Sequence, residues 1–283
     1  MRWEGRRQSD NVEDRRGMRV SRGGLVGGGL GTIAIALLVM FLGGDPTAVL
    51  QQAGQPQVQT TNEPYVETAE EEERRRFVLT MLATTEDLWA RQFAEMGGTY
   101  QAPRLVLFRE AVESGCGVAE SGVGPFYCPP DEGVFLDMTF FDEMATKLQA
   151  GGDFAYAYVV AHEVGHHVQN RLGISTRMQE MRQRVSEVEG NQLSVRLELQ
   201  ADCLAGVFGN YARAQGMIEP GDFDEGMRAA SAIGDDRLQR RGGGMVIPDS
   251  FTHGTSEQRQ RWLHRGIETG SFGACDTFKA ADL

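Results

Sequence analysis

The sequence predicts a mainly helical α+β fold with a small sheet, preceded by a single N-terminal transmembrane helix. Two long segments, residues 154–172 and 196–206, have uninterrupted helical patterns without proline. Two short apolar runs, residues 104–108 and 133–137, indicate strands. Residues 23–44 carry no charged side chain and are long enough to cross a bilayer. With 283 residues, the chain can bury one large domain in addition to such an anchor.

The N-terminal region divides into a basic stretch and an apolar stretch. Residues 1–22 contain seven Arg and four acidic side chains, and the uncharged residues 23–44 follow directly. Since positive charge favours the cytoplasmic side, we expect a cytoplasmic tail at 1–22, a single-pass anchor in the inner (cytoplasmic) membrane at 23–44, and the rest outside the cytoplasm. A cleaved signal peptide is the alternative, although the apolar segment is long for one and no A-x-A-like site follows it.

The segment after the predicted anchor has the composition of a tether. Residues 45–64 are rich in Gln, Thr, Pro and Gly, and a charged run follows up to Arg76. We therefore place a flexible linker at residues 45–73 and the folded domain at residues 74–283. The formal net charge of -12 argues against a nucleic-acid partner, and the sequence leaves the oligomeric state open.

The most informative segment is residues 162–166, which have the sequence HEVGH. Residues four apart lie on one face of a helix, so His162 and His166 can bind one zinc ion together. Glu163 follows the first of these ligands and is placed to act on a water at the metal. The preceding part of this helix is apolar almost all round, and burying three polar side chains there would be costly without a metal. The pattern H-E-x-x-H is typical of zinc hydrolases.

The second predicted helix offers a third ligand. Glu198 and Asp202 are four residues apart and therefore share a face of that helix. Glu198 is the candidate ligand, and Asp202 can accept a hydrogen bond from the far nitrogen of a metal-binding histidine, which fixes its tautomer. The alternative is an exposed pair of acids, but the surrounding residues are largely apolar, so unpaired carboxylates would be expensive there.

A third candidate site segment lies near the C-terminus. Thr255 or Ser256 can cap a helix that runs through Arg259, which places His253 in the loop just before it. A histidine at that position can donate a hydrogen bond to the oxyanion of a tetrahedral intermediate. The alternative is an exposed surface histidine without a catalytic role. Arg259 either pairs with a buried carboxylate or is solvated.

The chain contains four cysteines, Cys116, Cys128, Cys203 and Cys275. An even number in a domain predicted to lie outside the cytoplasm favours disulfides. Cys116 and Cys128 flank a loop rich in Gly and Pro and are expected to pair, which leaves Cys203 with Cys275. Four cysteines permit three pairings, so the connectivity stays open. A second metal site is the alternative, but no C-x-x-C spacing supports it.

The predicted strand at residues 133–137 suggests a way to hold a substrate. If residues 134–137 form the edge strand over the zinc, an extended peptide can add to it by backbone pairing. The alternative is an interior strand without a substrate role.

Several motifs occur together in the order typical of one family. They resemble the bacterial neutral zinc metallopeptidase family over about residues 74–278 and the predicted N-terminal anchor, and more distantly the gluzincin-type peptidases. The resemblance implies a zincin-like, minimal gluzincin domain with one zinc per chain. It implies the ligands His162, His166 and Glu198, Glu163 as general base, Asp202 hydrogen-bonded to a ligand, and a catalytic role for His253. The motifs are residues 124–129, 162–167, 198–203, 232–236, 251–259 and 275–278.

These patterns lead to one function hypothesis and two rivals. The leading hypothesis is a membrane-anchored zinc endopeptidase that cleaves peptide or protein substrates outside the cytoplasm. The first rival is a zinc-stabilised scaffold or binding module that cleaves nothing, although such a site has no need of Glu163. His167 is a poor fourth ligand for it because it points about 100° away from His166 around the helix. The second rival is an amidase of the cell envelope.

Overall fold

The computed structural model describes residues 1–20, 60–62 and 65–283. The strands are β1 (Val12–Asp14), β2 (Met18–Val20), β3 (Thr60–Asn62), β4 (Arg104–Phe108), β5 (Ala111–Ser114), β6 (Gly117–Glu120), β7 (Phe126–Cys128) and β8 (Gly133–Asp137). The α-helices are α1 (Ala69–Glu95), α2 (Thr139–Thr146), α3 (Asp153–Arg171), α4 (Ile174–Arg182), α5 (Glu187–Ala214), α6 (Asp222–Ala232), α7 (Asp235–Arg241) and α8 (Ser256–Thr269). The mainly helical α+β domain with small sheets is therefore the part of the predicted fold class that the structure supports.

The largest sheet has four strands in the order β1-β4-β8-β7. The strands β1, β4 and β8 are parallel, and β7 is an antiparallel edge strand. Side chains alternate along β4: Leu105 and Leu107 face the main core, whereas Val106 and Phe108 face a smaller cluster beneath the β5–β6 hairpin. Since β8 lies inside the sheet, the expectation of an edge strand at residues 134–137 is wrong, and the alternative of an interior strand is confirmed.

The first 20 residues belong to the same folded unit as the rest of the described chain. Strand β1 pairs with β4, with Val12 opposite Leu105, and Trp3 is buried in the main core. Strand β2 pairs with β3, so that Val20 lies opposite Thr60. Residues 20 and 60, the last described residue before a gap and the first one after it, are therefore neighbours in the fold.

This pairing corrects the predicted membrane topology. A single crossing would put the tail at 1–22 and everything after Gly44 on opposite sides of the membrane, yet the structure packs residues 1–20 into the sheet of the domain. Among the described residues, no helix has the length and apolar character to cross a bilayer. The predicted anchor at residues 23–44 lies outside the described residues. The single-pass anchor and the inner-membrane localisation therefore have no support, and we correct both.

The long helices begin where side-chain caps satisfy their free backbone N–H groups. Thr68 and Glu71 form a capping box at the start of α1, so this helix begins within the stretch that we assigned to the linker. Ser186 and Glu189 do the same for α5, which extends well beyond the predicted segment at 196–206. Helix α3 matches its predicted position closely and has buried residues all along its length.

Helices α5 and α8 pack closely because both carry a glycine at their contact. A Cβ atom added at Gly206 would lie 2.2 Å from the carbonyl oxygen of Leu263, and one at Gly266 would lie 2.0 Å from that of Cys203. No larger side chain fits at either position without separating the helices. The close approach brings the C-terminal helix α8 against the part of α5 that carries the predicted ligand Glu198.

Candidate metal centre

The two histidines of the HEVGH segment lie one turn apart on α3. His162 is buried, and the side chain of His166 is 16% exposed. Gly165 lets α3 approach α5, since a Cβ atom there would lie 3.2 Å from the backbone of Ala201. This contact places both histidines against the face of α5 that carries Glu198.

The three predicted ligands meet at one point. The Nε2 atom of His162 lies 3.2 Å from Nε2 of His166 and 3.2 Å from Oε2 of Glu198. The Nε2 atom of His166 lies 3.4 Å from the other oxygen of Glu198. Tetrahedral ligands bound to zinc at ~2.0–2.1 Å are about 3.3–3.4 Å apart, so the spacing of this cluster fits a zinc ion. The structure thus brings the predicted ligand set together.

The electrostatics of this cluster also favour a cation. Burial lowers the pKa of His162, but hydrogen bonds and charge from Asp202 and Glu198 raise it to about 10. Burial raises the pKa of Glu198, but the two histidines hold it well below its usual range. Positive charge is therefore strongly favoured at this point, and a zinc ion can take the place of the proton on His162.

Asp202 is the fully buried partner of the first histidine. It lies 2.9 Å from Nδ1 of His162 and accepts hydrogen bonds of 2.8 and 2.9 Å from Arg259, and a further one from the hydroxyl of Tyr158. Burial raises the pKa of Asp202, but Arg259 and His162 lower it to about 2. The carboxylate accepts a hydrogen bond from the Nδ1–H group of His162 and so directs the Nε2 lone pair towards the metal. Of our two options for Arg259, pairing with a buried carboxylate is confirmed.

The second histidine has a different partner, which the sequence analysis missed. Nδ1 of His166 lies 2.9 Å from Oε1 of Gln169, which is itself completely buried. Nε2 of Gln169 donates to the carbonyl oxygen of Leu197 at 2.7 Å. A signal was present, because Gln169 lies three residues after His166 and therefore on the same face of α3.

Glu163 lies on α3 beside the ligand cluster, and the residue is 9% exposed. Burial raises the pKa of its carboxyl, and the neighbouring histidines counteract this in part. The backbone amide of Tyr127 faces this carboxyl and lowers its pKa. Since Tyr127 is the central residue of β7, the edge strand borders Glu163 directly.

His253 lies in the loop before α8, and its side chain is 38% exposed. Its Nδ1 atom lies 3.2 Å from Oδ1 of Asp235, while Oδ2 of Asp235 accepts hydrogen bonds from the backbone amides of residues 252–254. Burial lowers the pKa of His253, but Asp235 and the charge of Glu198 raise it above its ordinary value. The histidine is therefore held within electrostatic range of the ligand cluster. The sequence analysis assigned no role to Asp235.

His167 is not part of the cluster. Its Nδ1 lies 3.1 Å from the hydroxyl of Tyr127, and its Nε2 donates to the carbonyl oxygen of Gln101 at 2.7 Å. Asn170 donates to the same hydroxyl, so both residues fix β7 against α3.

The four cysteines form the two expected disulfides. Cys116 pairs with Cys128, which joins the turn of the β5–β6 hairpin to the end of β7. Cys203 pairs with Cys275, which ties the C-terminal segment to α5, the helix that carries Glu198.

Comparison with known proteins shows where this chain belongs. The family described as "Putative neutral zinc metallopeptidase" matches residues 1–278, so the family pattern includes the N-terminal segment that packs on the sheet. "Uncharacterized protein YpfJ" of Escherichia coli K12 is 48% identical, over 98% of this chain and 99% of its own length. "Uncharacterized protein Rv2575" of Mycobacterium tuberculosis is 45% identical over 195 residues, which is 65% of either chain. No solved structure matches. The chain belongs to the family described as "Putative neutral zinc metallopeptidase".

Proposed function

We propose that this protein is a zinc-dependent peptidase that hydrolyses peptide bonds with Glu163 as the general base. One observation carries the proposal: His162, His166 and Glu198 converge with the spacing of zinc ligands, and the buried carboxyl of Glu163 lies beside them. Three protein ligands are the number found in catalytic zinc sites, which keep one position open, whereas structural sites use four.

The chemistry divides between the metal and the protein. When bound, zinc supplies Lewis-acid polarisation of the scissile carbonyl and lowers the pKa of the attacking water towards ~7. Glu163 takes the proton of that water and later passes it to the leaving amine. The Glu163 carboxyl is buried, and burial raises its pKa in the metal-free protein, which favours its role as a proton acceptor.

A peptide substrate fits the edge of the sheet. Strand β7 pairs only with β8 among the described strands, and the amide of Tyr127 points to Glu163 rather than to β8. An extended peptide that pairs with the outer edge of β7 would lie next to Glu163 and the ligand cluster, where the Tyr127 amide already faces Glu163. Backbone pairing of this kind binds peptides with little dependence on sequence.

His253 is the proposed donor to the developing oxyanion. Asp235 contacts its ring at Nδ1, so the proposed donor is the other ring nitrogen, Nε2. Asp235 also raises the pKa of His253 in the metal-free protein, which favours the protonated ring that this role requires.

The test is the Glu163→Ala variant of the full chain, loaded with zinc and incubated with a peptide library. We expect unchanged zinc content and fold, with turnover reduced by roughly 10²–10⁴-fold, the usual contribution of a general base. The products of the wild type are measured by mass spectrometry as new peptide termini. Glu180→Ala, an exposed position on α4, is the matched control and keeps full activity.

Two outcomes contradict this proposal. Undiminished turnover in Glu163→Ala removes the general base from the mechanism. A wild type that binds one zinc but cleaves no member of the library favours the non-catalytic scaffold.

A further inference from the structure

We propose that Gln200 and the disulfide-held carbonyl of Cys275 are positioning groups for the second metal ligand, His166. The inference rests on the metal site of the proposed function and does not require that the protein cleaves peptides. A chain of hydrogen bonds through Gln169 and Gln200 joins the metal site to the C-terminal segment.

The direction of this chain is fixed by backbone carbonyls, which can only accept. Nε2 of Gln200 donates to the carbonyl oxygen of Cys275 at 3.0 Å, so Oε1 of Gln200 must face Gln169. Nε2 of Gln169 donates to that oxygen at 3.2 Å and to the carbonyl oxygen of Leu197 at 2.7 Å. Oε1 of Gln169 therefore faces His166, 2.9 Å from Nδ1, and must accept a hydrogen bond from the Nδ1–H group. The remaining nitrogen of His166, Nε2, then carries the lone pair that binds the metal.

Because these groups are buried, each depends on its neighbours in the chain of hydrogen bonds as its only partners. Gln169 and Cys275 are 0% exposed and Gln200 is 4% exposed, so solvent cannot replace a lost partner freely. If the amide of Gln169 rotated by half a turn, its NH₂ group would face the N–H of His166, and two donors would oppose each other. The tautomer of His162 is fixed by the charge of Asp202, whereas that of His166 is fixed by the orientation of two neutral amides.

The Cys203–Cys275 disulfide holds the end of the chain of hydrogen bonds in place. Cys203 lies three residues after Gln200 on α5, so the bond keeps the Cys275 carbonyl beside the Gln200 amide. The C-terminal segment makes a further contact with the same helix: the hydroxyl of Thr277 donates to the carbonyl oxygen of Arg196 at 2.6 Å. Loss of the disulfide frees the carbonyl to move and lets the Gln200 amide rotate.

The experiment measures zinc affinity by competition with a chelator in the full chain. Gln200→Met keeps the side-chain length but removes the donor to Cys275 and the acceptor for Gln169. We expect its zinc Kd to rise by about 10-fold, the lower end of the range for lost partners of ligand histidines. The visible spectrum of bound Co²⁺ should also change, since the His166 ring is no longer held. Gln260→Met is the matched control. Gln260 also donates to a backbone carbonyl, that of Met227, but does not take part in the hydrogen bonds through Gln169 and Gln200.

A second comparison keeps the proposal testable if Gln200→Met does not fold. Cys203→Ala/Cys275→Ala should weaken zinc binding in the same direction, whereas Cys116→Ala/Cys128→Ala removes the other disulfide and should leave the Kd unchanged. The proposal is overturned if the folded Gln200→Met protein, or the Cys203/Cys275 variant, binds zinc like the wild type. Because the readout is metal binding, an inactive wild type would contradict the peptidase proposal without affecting this result.

Discussion

Arg259→Met is the substitution that tests the buried ion pair beneath the metal site. Arg259 is 3% exposed and donates to Asp202 through Nε and Nη2 at 2.8 and 2.9 Å. Removing it leaves the Asp202 carboxylate fully buried, with His162 and the hydroxyl of Tyr158 as its remaining partners. Breaking a buried pair in this way costs about 3–5 kcal/mol. We expect the lower end of this range, because His162 is protonated in the metal-free protein and still compensates part of the Asp202 charge. Whole domains are stable by only about 5–15 kcal/mol, so the loss should be large.

The assay is urea unfolding of the metal-free protein, since bound zinc would add its own stabilisation. The control is Arg261→Met, two residues along the same helix, where the pair with Glu257 is exposed and the loss should stay below ~1 kcal/mol. We also expect the double variant Asp202→Leu/Arg259→Met to lose less than the sum of its two single changes, because no unpaired charge remains. A loss below ~1 kcal/mol in Arg259→Met would refute the reasoning, since it would mean that His162 and Tyr158 alone are enough to stabilise the buried Asp202 carboxylate.

Two further predictions concern protons and packing. The pKa of His162 is about 10 in the metal-free protein, above its ordinary value of 6.5. Protonation of His162 therefore stabilises the folded, metal-free protein fully below pH 6.5. This stabilisation is lost as the pH rises towards 10. Because zinc must displace this proton, the zinc Kd should fall about tenfold per pH unit between roughly pH 7 and 9, and a constant Kd would contradict the exchange. Gly206→Ala should destabilise the protein by about 1–3 kcal/mol in thermal unfolding, because its Cβ meets the backbone of α8. Gly122→Ala, where a Cβ meets nothing within 4 Å, is its control, and equal melting temperatures would show that the helices can separate at no cost.

The ligand set was predictable because helical spacing is a local property. His162 and His166, and likewise Glu198 and Asp202, are four residues apart within single helices, so each pair shares a face whatever the rest of the fold does. Only the meeting of the two helices had to be assumed, and the glycine contact at Gly165 provides it.

The sheet was not predictable in the same way, because strand order depends on contacts between distant parts of the chain. The sequence indicated strands at residues 104–108 and 133–137, but nothing local shows that β7 lies outside β8 or that β1 adds to β4. The N-terminal residues were misassigned for the same reason: their Arg excess suggested a cytoplasmic tail, whereas several of these Arg side chains pair with acids of the domain, such as Arg7 with Glu86 and Arg16 with Glu67.

The order of the supporting residues along the chain has a consequence for biosynthesis. The ligands emerge between residues 162 and 198, but Arg259 follows Asp202 by 57 residues and Cys275 follows its partner Cys203 by 72. A growing chain therefore exposes its histidines and Glu198 well before Arg259 and Cys275, the partners of Asp202 and Gln200, have left the ribosome. Metal taken up at that stage would meet ligands that are free to rotate. The support of the metal site is thus complete only after the C-terminal helix has docked on α5, long after the H-E-x-x-H motif has been synthesised.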